Sequence, residues 1–128
     1  MEIFEKKTDE WSHKVNFVDD ENTFVGYDLG QDCCEHAGWF ISEKIEPYDW
    51  KVDYEEMKAP AVADYIFNKT FFQEVESSDL DDGCMVAFKL QAKNKPDLYL
   101  HLFNCHNGYY SHGFIVKHNG AIVKDDRL

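Results

Sequence analysis

Two Asn-Gly pairs, Asn107-Gly108 and Asn119-Gly120, constrain the fold of this chain more than any other feature of its sequence. Both residues of such a pair tolerate the positive φ that a type I′ hairpin turn requires, and here each pair lies between runs of β-forming residues. The runs in this half of the chain are CMVAFKLQ (84–91), DLYLHLFN (97–104), YYSHGFIVKH (109–118) and AIVKD (121–125). The sequence therefore predicts a C-terminal antiparallel β-meander.

The first turn also predicts a register. If Asn107 and Gly108 occupy the turn, Phe103 faces His112 and His101 faces Phe114, and side chains alternate from there. One face would be aliphatic, with Leu98, Leu100, Leu102, Gly113, Ile115 and, beyond the second turn, Ile122. The other would be aromatic and histidine-bearing, with Tyr99, His101, Phe103, Cys105, Tyr110, His112, Phe114, Val116 and Val123.

The first half of the chain gives weaker β signals. Residues 13–18 and 23–28 are rich in β-formers and flank the polar stretch DDEN, which predicts a hairpin. Residues 29–38 are expected to form a loop and residues 39–45 a strand. The alternating aromatic, apolar and acidic residues of 49–58 are compatible with an exposed sheet edge.

One short helix is expected near the middle of the chain. Pro60 is followed by Ala61, Val62, Tyr65 and Ile66, which fits proline in a first turn and one apolar stripe. With no repeat and no linker, residues 1–128 are expected to form a single globular domain. The predicted fold class is therefore α+β: mainly antiparallel β-sheet, with a C-terminal β-meander and one short helix.

The aromatic face of the predicted meander is where chemistry would be expected. Cys105 and His112 would be diagonal neighbours about 7 Å apart at their backbones. A metal site would need Cys33, Cys34 or His36 as well, and no CxxC or HxxxH spacing supports one. We therefore predict no metal and no cofactor, although the sequence leaves open a metal or redox role for these residues.

Thiol catalysis on the same face is the alternative function. Cys105 could lie near His101 or His112, with an acid from Asp32 or Glu35, but a nucleophilic thiol usually needs a helix N-terminus or a cationic neighbour. Cys105 precedes a turn instead. The sequence thus favours a non-catalytic role over a small metal- or thiol-dependent enzyme centred on these cysteines and histidines.

The charge distribution excludes several other functions. The net charge is −12, and residues 1–82 hold 22 acidic residues against 7 lysines, while residues 83–128 hold 3 acidic residues against 6 bases. Arg127 is the sole arginine, so direct nucleic-acid binding is not expected. The charged residues near Met1 and the lack of a long apolar stretch predict a cytoplasmic protein without membrane association.

Two segments carry a resemblance to a known group. GYDLGQDCCEHAGWF (26–40) and NCHNGYYSHGF (104–114) resemble an uncharacterised family of small acidic β-rich bacterial and phage proteins, and the likeness covers most of the chain. The resemblance implies a bacterial or mobile-element setting. It implies no activity and no site residues.

The acidic, arginine-poor profile is similar to that of small immunity proteins and phage-encoded inhibitors. Carboxylates would attract a basic toxin or nucleic-acid-binding protein at long range, and aromatic anchors would hold the complex. The sequence thus predicts a non-catalytic inhibitor that neutralises a basic partner, against the alternative that the acidity serves solubility alone. The predicted partner-binding residues are Trp50, Asp53, Glu55, Glu56, Glu74, Glu76, Asp79, Asp81 and Asp82.

Overall fold

The computed structural model describes residues 1–9, 11–30, 36–54, 61–80, 83–105 and 111–128. These residues form nine strands and one 3-10 turn, Ser78–Leu80. The strands are β1 (Glu2–Lys7), β2 (His13–Val18), β3 (Thr23–Asp28), β4 (His36–Ser42), β5 (Ile66–Val75), β6 (Cys84–Gln91), β7 (Leu98–Cys105), β8 (Gly113–His118) and β9 (Ala121–Arg127).

The strands form two antiparallel sheets. One has five strands in the order β1-β2-β3-β8-β9, and the other has four in the order β4-β7-β6-β5. The chain passes from the larger sheet to the smaller one after β3, and it returns after β7. Strand β7 therefore has a paired neighbour on each edge.

The two sheets pack face to face around one apolar core. Along β2 and β3 every second residue points inward, which follows from the two-residue period of a strand. Phe17 of β2 and Val25 of β3 lie in the same buried cluster as Leu100 of β7. The Tyr27 hydroxyl donates a hydrogen bond of 2.7 Å to the Phe103 carbonyl, which ties β3 to β7 across the layers.

A buried carboxylate makes a second connection between the sheets. Asp19, which follows β2, accepts hydrogen bonds from the backbone N–H of Thr23 at 2.9 Å and of Phe67 at 2.8 Å. The first bond closes the β2–β3 turn, and the second reaches the start of β5. One side chain therefore fixes a turn of the larger sheet against the edge strand of the smaller sheet.

The predicted helix is wrong. Residues 61–65 are not helical, and Ile66 begins β5. Val62 and Tyr65 are buried in the core, as the apolar stripe required, but a turn closed by the Tyr65 N–H and the Val62 carbonyl brings them there. An i, i+3 apolar spacing fits such a turn as well as a helix. The described residues make an all-β fold, not α+β, and none of their helical segments is long and apolar enough to cross a membrane.

Several strand predictions are confirmed and others need correction. The hairpin of residues 13–18 and 23–28 is β2–β3. The strand predicted at 39–45 begins at His36 and ends at Ser42, so part of the expected loop 29–38 is strand. Residues 49–54 form no strand, which overturns the exposed edge over its described part. Strands β1 and β5 were not predicted.

The predicted meander is half right. Strands β6 and β7 pair, and so do β8 and β9, whose turn has Asn119 at φ 52° and Gly120 at φ 80° as a type I′ turn requires. The pairing of β7 with β8 is wrong, because β7 lies between β4 and β6 while β8 lies between β3 and β9. Asn107 and Gly108 lie outside the described residues.

The face assignments change with the pairing. Phe103 lies opposite Gly38 and Met85, not opposite His112. Phe114 packs in the core with the leucines of β7, although the predicted register put it on the opposite face, beside His101. Ile122 and Val123 on β9 are 58% and 62% exposed. Neither residue therefore belongs to a buried face, although the predicted meander placed one on each face.

The positive φ of Gly120 allows the confirmed turn to be tested by a change in stability. A Cβ at Gly120 would meet no atom within 4 Å, so Gly120→Val adds no clash and acts through its positive φ alone. We expect the substitution to lower the free energy of unfolding by about 1 kcal/mol or more. Ala121→Val, the next residue and part of β9, is the control. Equal urea midpoints for the two variants would contradict the turn assignment.

Candidate functional site

The outer face of the four-stranded sheet is covered by an aromatic cap. Its members come from β4, from the segment 43–54, from the 3-10 turn and from β6 and β7, and they are Phe40, Tyr48, Tyr54, Leu80, Met85 and Phe103. Phe40 and Tyr54 stack with ring centroids 4.5 Å apart, and Tyr48 lies 5.0 Å from Phe103. Each such pair contributes about 0.5–1.5 kcal/mol beyond its buried area.

Hydrogen bonds fix the segment that carries the cap tyrosines. The Asp49 N–H donates to the Tyr54 hydroxyl at 3.0 Å, and the Ser77 hydroxyl donates to the Tyr48 carbonyl at 2.6 Å. The Asp49 side chain and backbone carbonyl accept hydrogen bonds from the N–H groups of Lys51 and Val52. Residues 49–52 are thus a defined turn attached to a buried cluster.

This turn presents the exposed tryptophan that the sequence analysis selected. Trp50 is 67% exposed, and Lys51 Nζ lies 5.8 Å from the centroid of its indole. Asp49 and Asp53 are exposed on the same short segment. Two predicted partner-binding residues, Trp50 and Asp53, are therefore exposed on one short segment.

Asp79 belongs to the same surface. The pKa of Tyr48 is raised to about 12, chiefly by burial and in addition by negative charges that include Cys105, Asp79 and Asp49. Burial also raises the pKa of Tyr54, to which the charges of Asp49 and Asp79 contribute. The Asp79 N–H donates to the Ser77 hydroxyl at 3.4 Å, and that hydroxyl donates to the Tyr48 carbonyl, so Asp79 lies beside the segment that carries the cap tyrosines. We call Asp49, Trp50, Asp53 and Asp79 the cap surface.

The remaining predicted partner-binding residues are elsewhere or not described. Glu74 lies on β5 and Glu76 follows it, and both line a separate groove of about 290 Å³ with Cys84 and Asp126. The structure thus does not gather Glu74 and Asp53 on one surface. Glu55, Glu56, Asp81 and Asp82 lie outside the described residues.

The groove does not make Cys84 reactive. Burial raises the pKa of its thiol, and the negative charges of Glu74 and Asp126 raise it further. The thiol therefore stays protonated at neutral pH, and a protonated thiol is a poor nucleophile.

His101, fully buried beneath the cap, is held neutral. Its Nδ1 donates to the Tyr99 carbonyl at 3.1 Å, and its Nε2 accepts from the Glu46 N–H at 3.1 Å. The ring stacks on Phe40 at 4.2 Å. Burial lowers the pKa of His101 from 6.5 to about 4. The imidazole is therefore uncharged near neutral pH, where it contributes packing and hydrogen bonds to the fold.

Cys105 and His112 are not diagonal neighbours. Cys105 ends β7 opposite His36, and its thiol donates to the Asp79 carbonyl at 3.5 Å. His112 precedes β8 of the other sheet, where its Nδ1 donates to the Asp28 carbonyl at 2.6 Å. Within the described ranges, no three His, Cys, Asp or Glu side chains are grouped as metal ligands would be. Cys33 and Cys34 lie outside those ranges.

Sequence reasoning missed one polar cluster. Glu5 and His13 are paired at 2.7 Å, and with His36 and Trp39 they line a small cavity of about 90 Å³. The Glu5–His13 pair joins β1 to β2, and β1 was not predicted. The β-formers Ile3 and Phe4 in EIFEKK, next to the confirmed strand HKVNFV, are the signal that could have found it.

The buried histidine predicts a pH dependence. Because folding lowers the pKa of His101 to about 4, the neutral ring favours the folded state above pH 6.5, and this advantage is lost as pH falls toward 4. The loss should reach about 3 kcal/mol. His101→Phe, which cannot titrate, should lose less stability than the wild type between pH 6.5 and 4.5 in urea unfolding. Parallel curves for the two proteins would contradict the assignment.

A model of the family described as Domain of unknown function (DUF7448) matches residues 2–116, from β1 into β8. No curated protein and no solved structure matches the chain. The match agrees with the expected membership of an uncharacterised family. Since it spans most of the sequence, the chain belongs to the family Domain of unknown function (DUF7448).

Proposed function

We propose that this protein is a non-catalytic acidic inhibitor that binds and neutralises a basic protein partner, such as a toxin or a nucleic-acid-binding protein. The observation that carries the proposal is the cap surface. It presents Trp50, 67% exposed, on a turn held in place by buried tyrosines. Large exposed aromatic residues are the usual anchors of protein interfaces.

Rigidity of the cap supports the anchor role. An interface loses affinity when its side chains and loops must be ordered on binding. The Tyr54 and Tyr48 hydrogen bonds to Asp49 and Ser77 already order the turn in the free protein. Trp50 would therefore dock with little further ordering of the backbone beneath it.

Charge supports a basic partner. Asp49 and Asp53 lie on the same exposed segment as Trp50, Asp79 belongs to the same cap surface, and the chain has a net charge of −12. Lys51 Nζ already lies over the indole, which shows that the exposed ring accepts a cation. A lysine or arginine of the partner could make the same contact while its neighbours meet the carboxylates.

The described residues give the enzyme alternative less support than the inhibitor. Cys105 and His112 belong to different sheets, and His101 is neutral with both ring nitrogens hydrogen bonded. The thiol of Cys84 is held protonated by burial and two carboxylates. These observations favour binding over thiol chemistry.

The anchor is tested with two matched tryptophans. Trp11 and Trp50 are both 67% exposed, but Trp11 lies on the segment between β1 and β2, whereas Trp50 lies on the turn 49–52. Immobilised wild-type protein and the Trp11→Ala variant should both retain a basic host protein. The Trp50→Ala variant should release the same protein at least tenfold faster, because truncating an anchor costs about 2 kcal/mol or more of binding free energy. Retention that is the same for both variants would contradict the proposal.

The charge is tested separately with the partner so retained. Asp53→Lys combined with Asp79→Lys should slow association, and the rate should lose much of its salt dependence. Asp20→Lys combined with Glu21→Lys changes the net charge equally in the β2–β3 turn and serves as the control. Equal rates for the two double variants, or an acidic partner, would show that the charge serves solubility alone.

A further inference from the structure

The two sheets open into an apolar slot at the edge that holds β5. The slot has a volume of about 210 Å³, and Val25 and Val116 of the larger sheet line it together with Phe67 and Phe88 of the smaller one. Lys69 and Lys124 also line it. It lies apart from the cap surface, which is on the outer face of the smaller sheet.

Two independent irregularities of strand pairing lie at this slot. Residues 68–71 of β5 lie opposite the single residue Lys89, because Phe67 pairs with Leu90 and Phe72 with Phe88. On β9, Val123 is an extra residue, because Val116 pairs with Lys124 and Lys117 with Ile122. Bulges redirect side chains and occur often beside binding sites. Here they turn Lys69 and Val123 to the slot.

The slot is basic in an acidic protein. Its lining contains two lysines and no carboxylate, whereas Glu5 lines the small cavity beside His36, and Glu74, Glu76 and Asp126 line the groove beside Cys84. Lys124 Nζ lies 4.3 Å from the centroid of the Phe72 ring, so its charge is held against the aromatic wall. The chain as a whole carries a net charge of −12.

We propose that this slot binds a small apolar monocarboxylate, with its hydrocarbon part against the wall formed by Phe67, Phe72 and Val116 and its carboxylate beside Lys69 and Lys124. A dry cavity of about 150 Å³ holds one benzene molecule, so this one suits a ligand of about eight to ten non-hydrogen atoms. The aromatic and aliphatic walls provide apolar contact, and the lysines select an anionic end over a cationic one. This site goes beyond the proposed inhibitor function.

The ligand chemistry is tested with three eight-carbon probes. Octanoate should bind the wild-type protein with a Kd of about 1 mM or tighter, measured by NMR titration. Octan-1-ol and octylamine should bind at least about fivefold more weakly, because they lack the charge that the lysines attract. Binding of octan-1-ol equal to that of octanoate would overturn the assignment of a carboxylate.

The location is tested with neighbouring residues of β9. Val123 lines the slot and is 62% exposed, while Ile122 is 58% exposed and does not line it. Val123→Trp should block the mouth and weaken octanoate binding at least tenfold, and Ile122→Trp should leave the Kd unchanged. Both positions are exposed, so both variants should fold. Unchanged binding by Val123→Trp would place the octanoate elsewhere and overturn the proposal.

The lysines are tested by removing their charge. Lys124→Met and Lys69→Met should each weaken octanoate binding about threefold to fivefold and leave octan-1-ol binding unchanged. Lys93→Met, at an exposed position away from the slot, should change neither Kd. If Lys124→Met binds octanoate as the wild type does, the slot is not an anion site. A dimer in sedimentation experiments that Val123→Trp abolishes would make the slot an interface between two copies and also overturn the proposal.

Discussion

The fold depends on one strand that has no free edge and no free face. Strand β7 is hydrogen bonded to β4 and β6, and its side chains are buried on both sides. Leu98, Leu100 and Leu102 face the larger sheet, while His101 and Phe103 face away from it. Because successive side chains of a strand alternate in direction, each of the two sets needs its own cover.

The covers of β7 differ in kind, and the difference places the candidate surface. A second sheet covers the leucine face. An irregular segment, 43–54, covers the other face with Tyr48 and Tyr54. An irregular segment can hold a buried aromatic at one residue and expose Trp50 nearby, which a regular strand in a sandwich does less easily. The cap surface, which is proposed for partner binding, is thus the solvent-facing side of the aromatic cap that covers β7.

The features that were predicted correctly from the sequence are those that depend on residues close together in the chain. The β2–β3 hairpin and the Asn119-Gly120 turn follow from residues adjacent in the chain, and Trp50 and Asp53 are neighbours for the same reason. Which strand lies beside β7 depends on distant residues, and the turn chemistry at Asn107-Gly108 carries no information about it. The spacing of Val62, Tyr65 and Ile66 fits both a helix and a turn that precedes a strand, so β5 was not predicted. Because Glu74 lies on β5, its position relative to Trp50 and Asp53 was not predicted either.

The order of the strands has a consequence for how the chain reaches this fold. Strand β3 pairs with β8, and Thr23 and His118, which are hydrogen bonded, are 95 residues apart in sequence. All four strands of the smaller sheet lie between them. As a ribosome releases the chain, β1, β2 and β3 emerge long before β8. The edge of β3 that pairs with β8 therefore remains unpaired during this time. Closing such a long loop slows folding and exposes a strand edge to other chains, which makes the pairing of β8 with β3 the step that protects the nascent protein from aggregation.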